Sequence, residues 1–164
     1  MPEQDWQLAQ EAIAALNHAE GSSTRTHIQK LLYFAHSWEI ASDPRYDFVL
    51  HLHGPYSFEL DRDLLRMEAF DALSRTRDTA GYGSRYEVPP VAVRTPVQQL
   101  ADWLGPLPTR TLEALATCEW VERRGGAADL VLRVQEIKPH LSSAEIEAAA
   151  EVLHRERARF RDPE

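Results

Sequence analysis

"LHLHGPYSFELDRDLLRM" (residues 50–67) passes from one structural period to another. Leu50 and Leu52 alternate with His51 and His53, the period-two pattern of a strand, and Phe48 extends it upstream. Gly54-Pro55 follows and is expected to break the strand, because proline has no N–H and a fixed φ while glycine admits positive φ. Ser57 then stands where a helix N-cap belongs, with Glu59 near the positive end of the helix dipole. Leu60, Leu64, Met67 and Phe70 recur at helical spacing and read as a buried stripe. Phe58 is expected in the core. Tyr56 suits a core contact and a surface anchor equally. The stretch therefore makes the fold mixed.

Upstream, "DWQLAQEAIAALNHAEG" places Trp6, Leu8, Ala12, Ile13 and Leu16 near helical spacing, with Gly21 as a stop. In "TRTHIQKLLYFAHSWEI" the pair Thr26 and Gln29 has the form of a capping box. Ile28, Leu31, Leu32, Ala35 and Trp38 share one face, which Tyr33 and Phe34 widen, so this helix is expected to be central and to end before "SDPR". Downstream, "ALSRTRDTAGYGSRYEV" reads as two short strands around a turn. Helix, helix, hairpin is the order of a winged helix-turn-helix.

"PPVAVR" is a linker, and four helices follow. Thr95 is expected as a cap with Pro96 in the first turn and Gln98 closing a box; Thr109 caps the next helix. That helix turns Leu112, Leu115, Ala116 and Trp120 inward and stops at Gly125-Gly126. "AADLVLRVQEIKP" is short and ends at Pro139, and Ser142 with Glu145 boxes the last helix, whose end "HRERARFRDPE" is expected to fray. The expected fold is α+β and mostly α. It is a single domain, 1–164, with a winged-helix-like part over 1–93, including a short β-hairpin, and a helical part over 94–160 packed on it.

Composition limits the function. The 164 residues are 43% hydrophobic, ordinary for a globular chain. A net charge of −8 disfavours binding nucleic acid through bulk charge. Cys118 is the only cysteine, so no internal disulfide or cysteine cage forms, which suits a reducing cytoplasm. No apolar run reaches the length of a membrane span, and the first residues lack the pattern of a signal peptide.

Residue chemistry narrows it further. His51 and His53, two apart on a strand, would share a face, with Asp47 on the same parity and His27 or His36 approaching from the preceding helix. Zinc needs about four ligands, or three and a water, and no recognised spacing supplies them. A metal-dependent hydrolase around these histidines is therefore the weakest reading; no metal and no other cofactor is expected. Ser57, His53 and Asp61 have the composition of a triad, yet capping explains Ser57 fully and no nucleophile elbow exists. Cys118 lies in an apolar stretch and is expected to be inert. No catalytic residue is assigned. For DNA, Arg75, Arg77 and Arg85 gather around the hairpin turn, and Arg123, Arg124 and the tail arginines could extend them into a basic patch. The helix that would enter the groove, however, carries Glu59, Asp61, Asp63 and Glu68 against Arg62 and Arg66.

Two segments taken together, "QKLLYF" (29–34) and "HGPYS" (53–57), resemble the YwgA-like proteins and, more distantly, the Panacea or SocA-like antitoxin domain. There such a helix precedes an aromatic-rich segment and a "YGPYS"-type turn; His53 stands here where tyrosine is usual. "LEALATCEWV" and "VQEIKPHLSSAEIEAAAEVL" resemble the second half of YwgA-type proteins. The resemblance implies a mostly helical fold with a small sheet and no carried-over activity. On the Panacea side it implies an antitoxin that neutralises its toxin by binding, or an adaptor that delivers a partner to a protease. The leading expectation is thus a non-enzymatic protein-binding module with Tyr33, His53, Tyr56 and Ser57 at the partner face, its partner a basic toxin or a protease substrate. A winged-helix DNA-binding regulator using Arg75, Arg77 and Arg85 is the alternative. A homodimer through Trp103 and Trp120 is a further reading.

Overall fold

The computed structural model describes residues 5–19, 21–77 and 84–162. Among these, seven α-helices and two antiparallel two-stranded sheets follow in the order α1 (Gln7–His18), α2 (Arg25–Ser37), β1 (Val49–His51), β2 (Gly54–Tyr56), α3 (Phe58–Ala69), β3 (Ser74–Arg77), β4 (Ser84–Glu87), α4 (Thr95–Leu104), α5 (Thr109–Arg123), α6 (Leu130–Ile137) and α7 (Ser143–Arg161). The fold is α+β and mostly α, as the sequence leads one to expect. The turn of the second hairpin, 78–83, lies outside the described residues.

Helix α2 is central. Residues 27 to 35 are all buried, because α1, α4, α5, β2 and β4 surround it. Ile28, Leu31, Leu32, Phe34 and Ala35 supply its apolar surface to the interior, and His27, Gln29 and Lys30 are buried with them. Helix α5 packs on α2, α6, α7 and β2, and α1 packs on α4. The aromatic cluster of Phe34, Trp38, Trp103 and Phe160 closes one end, with Trp38 and Trp103 stacked at 5.6 Å. Trp103 therefore packs within its own chain. Trp120 is half-buried beneath the guanidinium of Arg124. The end of α7 stays helical to Arg161, where fraying was expected, because Phe160 and Arg157 are anchored on Trp38 and Glu119.

Local signals are realised unevenly. Ser57 caps α3 by accepting from the Leu60 N–H at 3.2 Å, and Ser142 with Glu145 forms the expected box. Thr24, not Thr26, caps α2. Gln98 does not box α4; its amide donates to the Ala15 carbonyl at 2.9 Å and so ties α4 to α1. No side chain caps α5, since Thr109 is already its first residue. Phe70 leaves the expected stripe: it follows the last turn of α3, is 60% exposed and rests on Trp6.

The opening stretch differs most. Gly54-Pro55 does not end the extended segment. Leu52 and His53 form a tight turn, and Gly54–Tyr56 pairs back on β1 in the register Val49↔Tyr56, Leu50↔Pro55, His51↔Gly54. Pro55 is tolerated because the hairpin has only two strands and its missing N–H costs no inner ladder bond. Gly54 sits at φ +94°, and a Cβ there would come within 3.2 Å of Thr117 Oγ1 on α5. Both facts select glycine.

Candidate functional site

Buried polar side chains hold the β1–β2 hairpin. From α2, Gln29 Oε1 accepts from the Ser57 N–H at 2.8 Å and Gln29 Nε2 donates to the Ser57 carbonyl at 2.9 Å. Gln29 is thus a clamp on the hairpin exit, not the cap the sequence suggests. Lys30, next to it and 1% exposed, donates Nζ to the Pro55 carbonyl at 2.9 Å. Beyond α6, Lys138 donates to the carbonyls of His51, at 3.0 Å, and Leu52. From α5, the buried Glu113 lies 3.4 Å from Lys138 Nζ, 3.0 Å from His140 Nε2 and 3.8 Å from His53 Nδ1. Burial pushes the Lys30 ammonium down to about 8; Lys138 acts in the same direction, and Glu113 opposes both.

The held hairpin presents apolar surface. Leu52 at its tip is 75% exposed, Phe58 50% and Val49 43%. His51, Tyr56 and Phe58 form a ring cluster with all centroid separations at 5.2 Å. Phe58 belongs to this surface and not to the core, because the cap places the first residue of α3 on the outer side of the helix. Behind the tip, between the hairpin and the first turn of α2, lies a pocket of about 200 Å³.

The four expected partner-face residues therefore separate. His53 and Tyr56 lie on this surface. Ser57 is fully buried beneath the hairpin exit, and Tyr33, 4% exposed, packs on Phe34, Phe48 and Trp120 and is not part of this surface. His51 and His53 do not share a strand face, since His53 lies in the turn. Among the described residues no group of three or more His, Cys, Asp or Glu side chains gathers as a metal site. Cys118 is buried on α5 and its thiol is pushed up to about 12 by burial.

The arginines of the second hairpin are not one patch. The register Arg75↔Tyr86 and Thr76↔Arg85 puts Arg75 and Arg85 on opposite faces. Arg75 pairs with Glu68 at 3.3 Å and Arg85 lies 4.0 Å from Glu87. Arg77 ends β3. Arg123 and Arg157 turn to Glu119.

Glu113 and Lys138 escaped sequence reading. Glu113 lies beside the core position Leu112, and Lys138 in "QEIKPH" reads as an ordinary solvated end. Neither carries a local signal: the carbonyls that Lys138 meets lie some 86 residues away, and the Lys138, His140 and His53 side chains near Glu113 come from other segments. For Gln29 and Lys30 a signal exists: two long polar side chains inside an otherwise apolar central helix need buried partners.

No protein-family model, curated protein sequence or solved structure matches the chain. Among the described residues no helix is long and apolar enough to cross a membrane.

Proposed function

We propose that the protein is a non-enzymatic protein-binding module, antitoxin-like or adaptor-like, whose docking face is the β1–β2 hairpin tip with the start of α3. One observation carries this reading: Leu52 and Val49 stand exposed on a hairpin whose backbone is fixed by buried side chains from α2 and the end of α6, with Phe58 exposed beside them at the start of α3. Contiguous exposed apolar surface marks interaction sites. A backbone already fixed loses little entropy on binding. Aromatic anchors such as Tyr56 and Phe58 suit the centre of an interface. The YwgA-like and Panacea-like resemblance supports it too, since its two segments are those that build the clamp and the hairpin. The net charge of −8 favours a basic polypeptide partner in a reducing cytoplasm.

The DNA-binding alternative has less behind it. Residues 38–57, with a hairpin among them, separate α2 from α3, whereas a helix-turn-helix joins its helices by a turn of about 3–4 residues. Helix α3 is acidic, and Arg75 and Arg85 face apart beside carboxylates.

The test is quantitative capture by tagged wild-type protein, Leu52→Asp and Phe58→Asp from the native cell extract, with thermal melts in parallel. One stoichiometric polypeptide held by the wild type and lost from both variants, with melts unchanged, is the expected result. No stoichiometric partner at any salt concentration, or one retained by both variants, overturns the reading. Retention on duplex DNA that falls with salt and vanishes when Arg75, Arg77 and Arg85 become alanine would favour the alternative.

A further inference from the structure

The pocket behind the hairpin tip has a one-sided chemistry. Arg25, Lys30, His51 and His53 line it, with Leu52 and Tyr56 as an apolar wall, and no carboxylate among the described residues does so. In a chain of net charge −8 that bias is local and built. Lys30 is the deepest member: its ammonium has three donors, and Pro55 is the one acceptor bonded to it among the described residues. Glu113 behind it already offsets part of the charge, and the donors that Pro55 does not take are what an anionic oxygen in the cavity would meet. Arg25 gives Nε to Asp61 at 3.1 Å, keeps 45% of its side chain exposed and is also met by the hydroxyls of Tyr86 and Tyr56, so its charge is partly offset and only its remaining guanidinium N–H groups face a ligand. The volume, about 200 Å³, is below the ~300–1,000 Å³ of sites for whole small ligands. It suits one end group with a short apolar stem.

We propose that this pocket is a carboxylate subsite of the docking face, filled by an Asp or Glu side chain of the docked polypeptide. The inference rests on the docking reading above. It adds the chemistry: apolar contacts at Leu52 and Phe58 would supply area, and a single carboxylate between Arg25, Lys30 and His53 would fix the register of the partner.

The probe is sodium acetate, titrated at constant ionic strength into isotope-labelled full-length protein and followed by NMR, with acetamide as the neutral isostere. Saturable shifts at Arg25, His51 and His53 are expected with acetate alone, weakened about tenfold or more in Arg25→Gln. Arg25 is half-exposed, so this variant leaves the fold in place; the unchanged spectrum of the distant α7 checks it. Equal shifts from acetamide, non-saturating shifts, or acetate binding untouched by Arg25→Gln overturn the inference. N-acetyl-glutamate N-methylamide, which holds the carboxylate in a peptide frame, should bind more tightly than acetate. Weaker binding would make the pocket a site for free small acids and overturn its assignment to a docked chain. If capture depends on Phe58 while acetate fails to bind, docking stands and the subsite falls. If acetate binds and capture fails, the docking reading falls and takes the polypeptide assignment with it.

Discussion

Helix α5 carries two buried carboxylates, Glu113 and Glu119, and the two ends of the helix treat them differently. Glu119 is closed in: it accepts from Ser37 Oγ at 2.9 Å, Trp38 Nε1 at 3.1 Å, Arg123 Nε at 3.0 Å and Arg157. Burial by itself would raise its carboxyl, yet the bonds from Arg157, Arg123 and Ser37 outweigh burial and hold it below the usual carboxylate range. Glu113, at the hairpin end, has Lys138, His140 and His53 within 4 Å, but its Oε1 has no aligned hydrogen bond. A carboxylate met by four donor side chains ties α2, α5 and α7 together, with Arg157 Nε the one buried donor of that network left without a partner among the described residues. One with capacity left over, beside exposed apolar surface, is where a second molecule can still be accommodated.

The largest expected effect tests the closed end. Glu119→Gln leaves Arg157 and Arg123 facing a neutral amide that can satisfy only part of the network, and removing one member of a buried ion pair costs about 3–5 kcal/mol. Urea denaturation at pH 7 measures it. Because the folded carboxyl is depressed, its stabilisation is present above the unfolded value and lost as pH falls through the folded one. The gap between wild type and variant should therefore narrow on acidification. A cost under about 1 kcal/mol would mean that aromatic packing around Trp38, not the ion network, closes this end.

The next effect belongs to the hairpin end and has the same pH sense in a more alkaline window. Lys30 loses its proton near 8 in the folded protein, against an ordinary 10.5. Between those values the unfolded chain binds more protons, so this group makes stability rise with pH. Wild type should gain on Lys30→Met by up to about 3 kcal/mol between pH 8 and 10.5. Taking the difference cancels the buried tyrosines Tyr33 and Tyr46, whose raised values act the other way in both proteins. A flat difference would mean that Lys30 stays charged, held by a counter-ion at the open end.

What the sequence made legible follows the range of the interactions. Ser57 and Ser142 cap as expected because a cap closes within three residues. Gly125 ends α5 at φ +81°, with the N–H of Gly126 on the Val121 carbonyl. The same closure ends α2 at Glu39 and α3 at Asp71, both with positive φ, and there no glycine announces it. Central α2 was legible from its apolar run. The roles of Gln29 and Lys30 were not, because a long polar side chain mid-helix can cap, snorkel or clamp, and only the hairpin's arrival 25 to 28 residues later selects the clamp. The candidate site suffered most. Its surface is defined by what α3 leaves uncovered, and the spacing of Phe58 and Phe70 is the same whether those rings face the core or water.

The smallest expected effect is the one that most directly separates the two ends. Glu113→Gln keeps the shape and removes a charge that no aligned hydrogen bond holds. Lys138 would still be met by the carbonyls of His51 and Leu52, which offsets part of the cost of removing one member of a buried pair, so the loss should fall short of the about 3–5 kcal/mol expected at Glu119. The substitution should still be felt at a distance. Glu113 is the group that raises the Lys30 ammonium against burial; without it Lys30 should release its proton at still lower pH, which NMR titration of the lysine side chain reads directly. A large loss of stability with Lys30 unmoved would make Glu113 a second Glu119, and the hairpin end would then be architecture, with no capacity left for a partner.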